Sequence, residues 1–387
     1  MKLIYITHWR IPSEKTMAPY MMRVAEAATQ EGASVEFWAP KRRNKSLQDE
    51  DSFSYHAIEP VFKVRYLPVI DVMGIVPGAF SFYLLLASWV VVLWFAVLGM
   101  KDRKQAYFYF FDLRDAVTVA LLSKRTFSEI HMYYRSSLDF INRFVFKRLA
   151  GVVVPTKPML EDITTWYGIP PEKMVHEPCG VNFERFGITL ESDEARHTLG
   201  LPLDQTIVLY VGHLFPVKGV YVLLEAHAFL APGEVIYVVG GTDDDIVTFR
   251  NAWEKAGSPK NVVIVGRRPH QEIPTWLRAA DMLSIPNTAK EPAGSTESSP
   301  SKQMEYMASG RPLIASDVPG IRDVMDDTMA FYVTPDSPEA IAKAVAEIRS
   351  HPEEARARTQ AAREKAKTLG WRERAGRIRA FMERRTY

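Results

Sequence analysis

Lys2-Leu3-Ile4-Tyr5-Ile6-Thr7, a polar loop from His8 to Pro19, a helical pattern from Tyr20 to Gln30 stopped at Gly32, and Ser34-Val35-Glu36-Phe37-Trp38-Ala39 open the chain. The two apolar runs have strand length, and the segment between them has helical spacing closed by a glycine. Strand, helix and strand in that order form a βαβ unit, the building block of a parallel sheet. Working outward, strands are predicted at Tyr107–Phe111, Glu129–Tyr133 and Gly151–Val154, with a helix ending over Ile163–Pro170.

After Gly200 the alternation restarts. Strands are predicted at Thr206–Val211, Glu234–Val239, Val262–Val265, Met282–Ile285 and Pro312–Ala315. Helices are predicted at Gly219–Phe229, Asp245–Ala256, Ile273–Ala280, Lys302–Ser309 and Pro338–Ser350. The stretch from Glu353 to Arg385 is rich in Ala, Arg and Glu and reads as helical throughout. The chain of 387 residues is long enough for two domains. The fold class expected is therefore α/β: two Rossmann-like, doubly wound domains with a cleft between them, where such folds bind ligands at the carboxyl ends of their strands.

The composition is that of a soluble globular protein, with 47% hydrophobic and 24% charged residues. The net charge of +2 gives no reason to expect a nucleic-acid partner. Residues 1–180 hold 22 Lys/Arg against 18 Asp/Glu, so the basic excess lies in the first half, with a cluster at Lys41, Arg42, Arg43 and Lys45. Cys179 is the only cysteine, which excludes an internal disulfide and fits a reducing, cytoplasmic setting. The nine histidines show neither HxxxH nor HExxH spacing, so no metal site is expected. The start reads directly as a strand and not as a leader peptide.

Asp71 and Lys101 bracket 29 residues without a charge, the segment 72–100. It is long enough to span a bilayer as a helix. Both flanks supply strands to one sheet, which argues against a span. A fully buried helix and a helix lying in the membrane face remain. The interfacial reading is preferred, because Trp89, Trp94 and Phe95 lie close to Lys101, Arg103 and Lys104. It implies a peripheral position on the inner face of the cell membrane.

Two stretches carry chemistry. Thr296-Glu297-Ser298-Ser299-Pro300-Ser301-Lys302-Gln303-Met304-Glu305 runs from a Gly/Ser/Thr loop into a helix. The free N–H groups of its first turn, near Ser301 and Lys302, suit an anion. Glu297 and Glu305, eight residues apart, bracket that turn, and carboxylates accept hydrogen bonds from vicinal hydroxyls. The combination suits a sugar–phosphate–nucleoside, though a capped helix with surface glutamates has the same spacing. The second stretch, Gly212-His213-Leu214-Phe215-Pro216-Val217-Lys218-Gly219, follows a strand and precedes a helix. Gly212 permits close backbone approach, and Lys218 would set a positive charge against a diphosphate leaving group. Arg267 and Arg268 follow a strand and face either a nucleotide or solvent.

In family order, these motifs resemble those of a family 4 glycosyltransferase of the GT-B fold, and the resemblance covers nearly the whole chain. Glu297 and Glu305 match its Glu-x7-Glu motif, followed by Tyr306-Met307-Ala308-Ser309-Gly310-Arg311-Pro312. Gly212, Lys218 and Gly219 match its Gly-Arg-x4-Lys-Gly loop. Pro178-Cys179-Gly180-Val181-Asn182 resembles its linker, and Ile11-Pro12-Ser13-Glu14-Lys15 one branch of its first loop. The resemblance implies a retaining, metal-independent hexosyltransferase in polysaccharide or glycolipid biosynthesis, with no cofactor. Its substrates would be a nucleotide-sugar donor and a glycan or lipid-linked acceptor.

Residue by residue, the resemblance implies that Glu305 holds ribose hydroxyls, Glu297 contacts the transferred sugar, and Lys218 neutralises the diphosphate. His131 lies near the reacting carbon, with the donor flanked by Gly212, His213, Arg267, Ser299, Ser301 and Lys302. Ser13, Lys15 and Thr16 lie on the loop that faces the acceptor. It also implies an acceptor domain over 1–182, a donor domain over 183–368 and a C-terminal helix, 369–387, crossing back to the first domain. His213 stands where the family usually has arginine, which shifts the phosphate grip toward Lys218 and helix N–H groups. The first loop lacks the Gly-Gly of many members, which weakens the acceptor assignment. Two other functions remain open: a sugar-nucleotide epimerase of the same fold, and a non-catalytic binding subunit at a membrane.

Overall fold

The computed structural model describes residues 1–13, 15, 17–42, 47, 50–73, 75–76, 78–131, 139–297 and 301–386. Two compact units result. The first comprises Met1–Pro155, Met159–Glu177 and Trp371–Tyr387, and the second Thr156–Pro158 and Pro178–Gly370.

The first unit is a seven-stranded sheet of β1 (Lys2–Ile6), β2 (Ser34–Pro40), β3 (Lys63–Leu67), β4 (Tyr107–Phe110), β5 (Thr126–Glu129), β6 (Gly151–Val154) and β7 (Met174–His176). Its order is β3-β2-β1-β4-β5-β6-β7, with every pairing parallel. Alternate residues feed two cores: Leu3 and Tyr5 enter one face, Ile4 and Ile6 the other. Helices cover both faces, so central strands such as Tyr107-Phe108-Tyr109-Phe110 are apolar at every position.

The helix Ala79–Leu98 is the crossover from β3 to β4. Its stripe Leu85, Trp89, Leu93 and Val97, one residue per turn, packs against Trp38 and Phe108 of the sheet. Only 28% of its most apolar window is buried, so the fully buried helix is not what forms.

The second unit holds β8 (Thr206–Val211), β9 (Glu234–Val239), β10 (Val262–Gly266), β11 (Met282–Ile285), β12 (Leu313–Ser316) and β13 (Phe331–Val333). The order β10-β9-β8-β11-β12-β13 is again all parallel. It reverses direction between β8 and β11, and open α/β sheets bind ligands at the carboxyl ends of strands at such a switch point.

Three expectations are corrected. The strand expected at Glu129–Tyr133 lies earlier, at Thr126–Glu129. It was hidden because Thr126 and Ser128 are polar yet fully buried, with Thr126 Oγ1 donating to Ser123 O at 2.9 Å. Residues 132–138 lie outside the described ones. The helix expected over Gly219–Phe229 is α-helical only over Val220–Glu225 and tightens to a 3₁₀ turn over Ala226–Phe229. The C-terminal stretch is not helical throughout: Pro352–Lys367 and Trp371–Arg384 are separate helices. Between them Val181 N donates to Leu369 O at 2.9 Å, and Val181 pairs with Gly370. The Val181–Leu369 hydrogen bond, between residues 188 apart in sequence, lies where a helix that the composition favours is broken.

The last helix packs on the helix Met17–Gln30, placing Ile378, Phe381 and Met382 in the core. It also delivers Arg374, buried, whose Nη2 donates to Glu129 Oε1 at 2.6 Å. Glu129 accepts further hydrogen bonds from Tyr109 Oη at 2.6 Å and from Tyr20 Oη. Burial alone would raise the Glu129 carboxyl, but the Arg374 guanidinium, then His131 and Tyr109, hold it well below the usual range.

A depressed carboxyl contributes stability in full above its ordinary value of 4.5 and loses it as pH falls through the folded value. We predict that Arg374→Met costs about 3–5 kcal/mol in urea unfolding at pH 7.5, because it strands a buried carboxylate. The penalty should shrink as pH falls from 7.5 to 5, because without Arg374 burial raises the carboxyl and favours its neutral form, and Glu129→Gln/Arg374→Met should recover part of it. An equal loss at both pH values would show that Arg374 acts only by packing.

Candidate functional site

At the switch point of the second sheet, β8 leads into Gly212, then a 3₁₀ turn over Pro216–Lys218, Gly219 and the helix Val220–Glu225. Gly219 is left-handed at φ +69°, and a Cβ there would lie 1.6 Å from Pro286 O, just beyond β11. Only glycine fits so close an approach. Gly212, at φ +147°, has room for a Cβ and is required for its backbone angle alone. The Lys218 loop is thereby pressed against the chain leaving β11. Thr288 N donates to Val217 O at 3.4 Å, and Asn287 Nδ2 to Gly294 O at 3.0 Å.

The chain from β11 then forms the short helix Pro292–Ser295, passes Glu297 and enters the helix Ser301–Ser309. That helix is anchored to the end of β8, because Tyr306 Oη accepts from Val211 N at 2.7 Å. One residue earlier is Glu305, with Lys302 one turn before it.

Lys302 carries the strongest electrostatic signal. Its Nζ is buried and has no hydrogen-bond partner among the described residues. It sits 4.1 Å from the centre of the Tyr210 ring, a cation–π contact worth up to about 2 kcal/mol when desolvated. Burial pushes its ammonium well below the ordinary lysine range, and the like charge of Lys218 pushes it further. Lys218 is itself lowered by burial. Lys302, buried without a hydrogen-bond partner and repelled by a second ammonium at the carboxyl end of a switch-point strand, is a group that an anion would stabilise.

The other predicted residues fall into place unevenly. His213 stacks on Phe215 with ring centres 4.9 Å apart, and its Nδ1 is 3.7 Å from Asp245 Oδ2. It is thus beside an acid rather than aimed as a second cation. Glu297 is half-buried, with its N–H donating to Pro292 O at 2.9 Å. Ser301 is half-buried at the helix start, whereas Ser299 lies outside the described residues. Glu305 is joined not by Arg267, which is exposed after β10, but by His270, whose Nε2 is 3.7 Å from Glu305 Oε1. His270 was missed because a loop histidine after Arg-Arg-Pro has no sequence signature.

In the first unit, His131 follows β5 with its Nε2 3.1 Å from Glu129 Oε1, off the direction of a hydrogen bond, and its ring edge-on to Tyr20. It belongs to the Glu129–Arg374 cluster. Ser13 is buried and its Oγ accepts from Lys15 N at 3.3 Å, so it supports its own turn. Lys15 is exposed, 5.9 Å from the Trp9 ring centre. Thr16 lies outside the described residues. A pair that sequence reading missed stands at this sheet's own switch point, between β1 and β4: His8 Nδ1 is 2.8 Å from buried Asp115 Oδ2. Among the described residues no group of three or more His, Cys, Asp or Glu is placed to hold a metal ion.

Residues 191–365 match the model of a family described as Glycosyl transferases group 1. A D-inositol 3-phosphate glycosyltransferase of Corynebacterium glutamicum is 29% identical over 231 residues, covering 57% of this chain and 54% of that protein. The putative teichuronic acid biosynthesis glycosyltransferase TuaC of Bacillus subtilis is 29% identical over 170 residues, 43% of this chain and 39% of that one. The chain spans about half the length of the first of these relatives and less of the second. Among solved structures, sucrose-phosphate synthase of Thermosynechococcus elongatus is similar at a TM-score of 0.79 and 19% identity, covering 99% of this chain and 98% of that one. HepE of Anabaena in complex with UDP and glucose is similar at 0.74 and 16%, covering 99% of each. The likeness shows the fold: two Rossmann-like parallel sheets of the GT-B type.

Gly219→Ala should lower the stability of the second unit by about 3 kcal/mol or more, through backbone clash and a disfavoured φ together. Gly212→Ala should cost less, about 1–2 kcal/mol, from φ alone. Thermal unfolding of the two variants checks this ranking, and equal losses would contradict it.

Proposed function

We propose that this chain is a glycosyltransferase that takes a nucleotide-activated sugar as donor and binds it at the switch point of its second sheet. One observation carries the reading. Lys218 and Lys302 are held together at the carboxyl end of β8, the latter buried and unpartnered, on the helix that also bears Glu305. A diphosphate satisfies Lys302 and lies against the positive charge of Lys218, and the flanking carboxylates take the hydroxyl-bearing groups at its two ends.

Glu305 accepts from the ribose hydroxyls, with His270 beside it. Glu297 accepts from hydroxyls of the transferred sugar. Lys218 and Lys302 stabilise the charge that develops on the departing diphosphate, the state in which such groups act most strongly. Lys302 supplies the second cation that His213 does not. His131 serves the reacting sugar, and Lys15 with its first loop serves the acceptor. The reaction retains anomeric configuration and uses no metal, and the acceptor is a glycan or lipid-linked precursor of a cell-surface polysaccharide or glycolipid, reached from the cytoplasmic side. TuaC and the inositol-phosphate enzyme are both named as glycosyltransferases, which supports the class.

Isothermal titration with UDP-, GDP- and dTDP-sugars should find one series that binds. Lys218→Ala and Lys302→Ala should each weaken it by about 1.5–3 kcal/mol, the worth of a charged hydrogen bond. Because the Lys302 ammonium is held below the usual lysine range, wild-type affinity should fall as pH rises toward that lowered value, earlier than for an ordinary lysine. Lys302→Arg should keep its charge and remove the decline. Glu297→Ala should reduce turnover of the donor more than its binding. Nucleotide-sugar binding that is indifferent to both lysines would overturn the assignment, and release of an epimerised sugar without acceptor would replace transferase by epimerase.

A further inference from the structure

Three helices lie side by side on one face of the first sheet: Ala79–Leu98, Leu113–Ala120 and Asp139–Arg148. Their inner sides share one core, with Trp89, Val119 and Phe146 all buried in it. Trp94 Nε1 donates to Thr118 O at 3.1 Å, stitching the first helix to the second. The outer sides of the first and third are apolar where a soluble helix is polar, while the second exposes only Arg114. Phe95 is 73% exposed, Phe80 67% and Phe140 69%, with Tyr83, Val91 and Phe144 also exposed. The apolar surface thus extends past the uncharged segment of the sequence onto a helix, Asp139–Arg148, whose own composition is not hydrophobic.

Topology adds charge at one end of this surface. Each helix precedes the next parallel strand, so all three run back to the amino edge of the sheet and end there together. Lys101, Lys104, Lys124, Lys147 and Arg148 are exposed at those ends, directly before β4, β5 and β6. The nearby acid, Asp102, is taken up by Lys2 at 2.8 Å. Aromatic side chains on the outside of a folded unit with a row of cations at their end match the two parts of an anionic lipid surface, acyl boundary and phosphate headgroups. A protein partner would be expected to meet an apolar centre ringed by polar groups, not cations gathered at one end.

We propose that the outer faces of Ala79–Leu98 and Asp139–Arg148, held side by side by Leu113–Ala120, form a monotopic docking surface for an anionic bilayer. Phe80, Phe95, Phe140 and Phe144 enter the acyl boundary, and the row from Lys101 to Arg148 lies on the headgroups. The helix Ala79–Leu98 keeps its inner stripe on the sheet, so it rests on the membrane without crossing it. This deepens the reading of a lipid-linked acceptor and rests on it for its purpose, but binding is measured with neither donor nor acceptor present, so either can fail without the other.

The test is flotation of the full chain with vesicles of phosphatidylcholine alone or with 30% phosphatidylglycerol. Wild type should float with the anionic vesicles, weakly with the neutral ones, and less in 0.5 M salt. Phe95→Glu/Phe144→Glu, one change on each of two separate helices, should abolish flotation. Lys101→Glu/Lys124→Glu/Lys147→Glu should remove the preference for anionic vesicles, at roughly five-fold per charge. All five positions are exposed, so thermal unfolding should be unchanged, which separates loss of docking from loss of fold. No flotation of wild type, or flotation indifferent to both variants, overturns the proposal. So does a wild-type dimer that Phe95→Glu/Phe144→Glu converts to monomer without affecting flotation, since a second copy then covers the face.

Discussion

At the centre of the second unit, the backbone of Gly219 lies so close to the carbonyl of Pro286 that a single added carbon would sit 1.6 Å from it. This contact joins the loop leaving β8 to the loop leaving β11 where the strand order reverses. Lys218 precedes the contact, and Glu297 and the helix Ser301–Ser309 follow from its other side. The hydrogen bond between Val211 N and Tyr306 Oη closes the arrangement from the helix side. Any widening of the contact would separate the groups that the proposed donor has to bridge, and preorganised groups are what stabilise developing charge.

On the proposed reading, Lys302 offsets the lack of an arginine at His213. His213 occupies a position where an arginine would offer a fixed, delocalised charge. Stacked on Phe215 and drawn toward Asp245, it is not placed to do so. The Lys302 ammonium, above the Tyr210 ring, provides a positive group from the neighbouring helix. Its burial makes it costly without an anion and correspondingly responsive to one.

The first unit concentrates its buried charge elsewhere. Glu129, Arg374, Tyr20 and Tyr109 form a satisfied cluster that ties the final helix to the sheet and sets His131 beside it. The opposite face of that sheet carries the exposed aromatic helices. One sheet thus sets the buried charge cluster on one face and the exposed aromatic surface beyond the other, because alternate residues of a strand point to opposite faces.

Read without its fold, the sequence already carries two parallel sheets, the loops that bear Lys218 and Glu297–Glu305, and the absence of any charge over 72–100. Strand periodicity, glycine stops and a resemblance in motif order were enough for those, since each is a local pattern. It failed where neighbours overrule local preference. Thr126-Phe127-Ser128-Glu129 looks too polar for a central strand until its hydroxyls and Arg374 satisfy it. The Ala/Arg/Glu-rich end looks like one helix until Val181 interrupts it. His270 beside Glu305, the ammonium of Lys302 beside Lys218, and Phe140 and Phe144 beside the aromatic helix were decided only by the tertiary structure. Each depends on residues from separate crossovers meeting at one end or one face of a sheet, and a distance of that kind is set by packing and by the strand order, not by spacing along the chain.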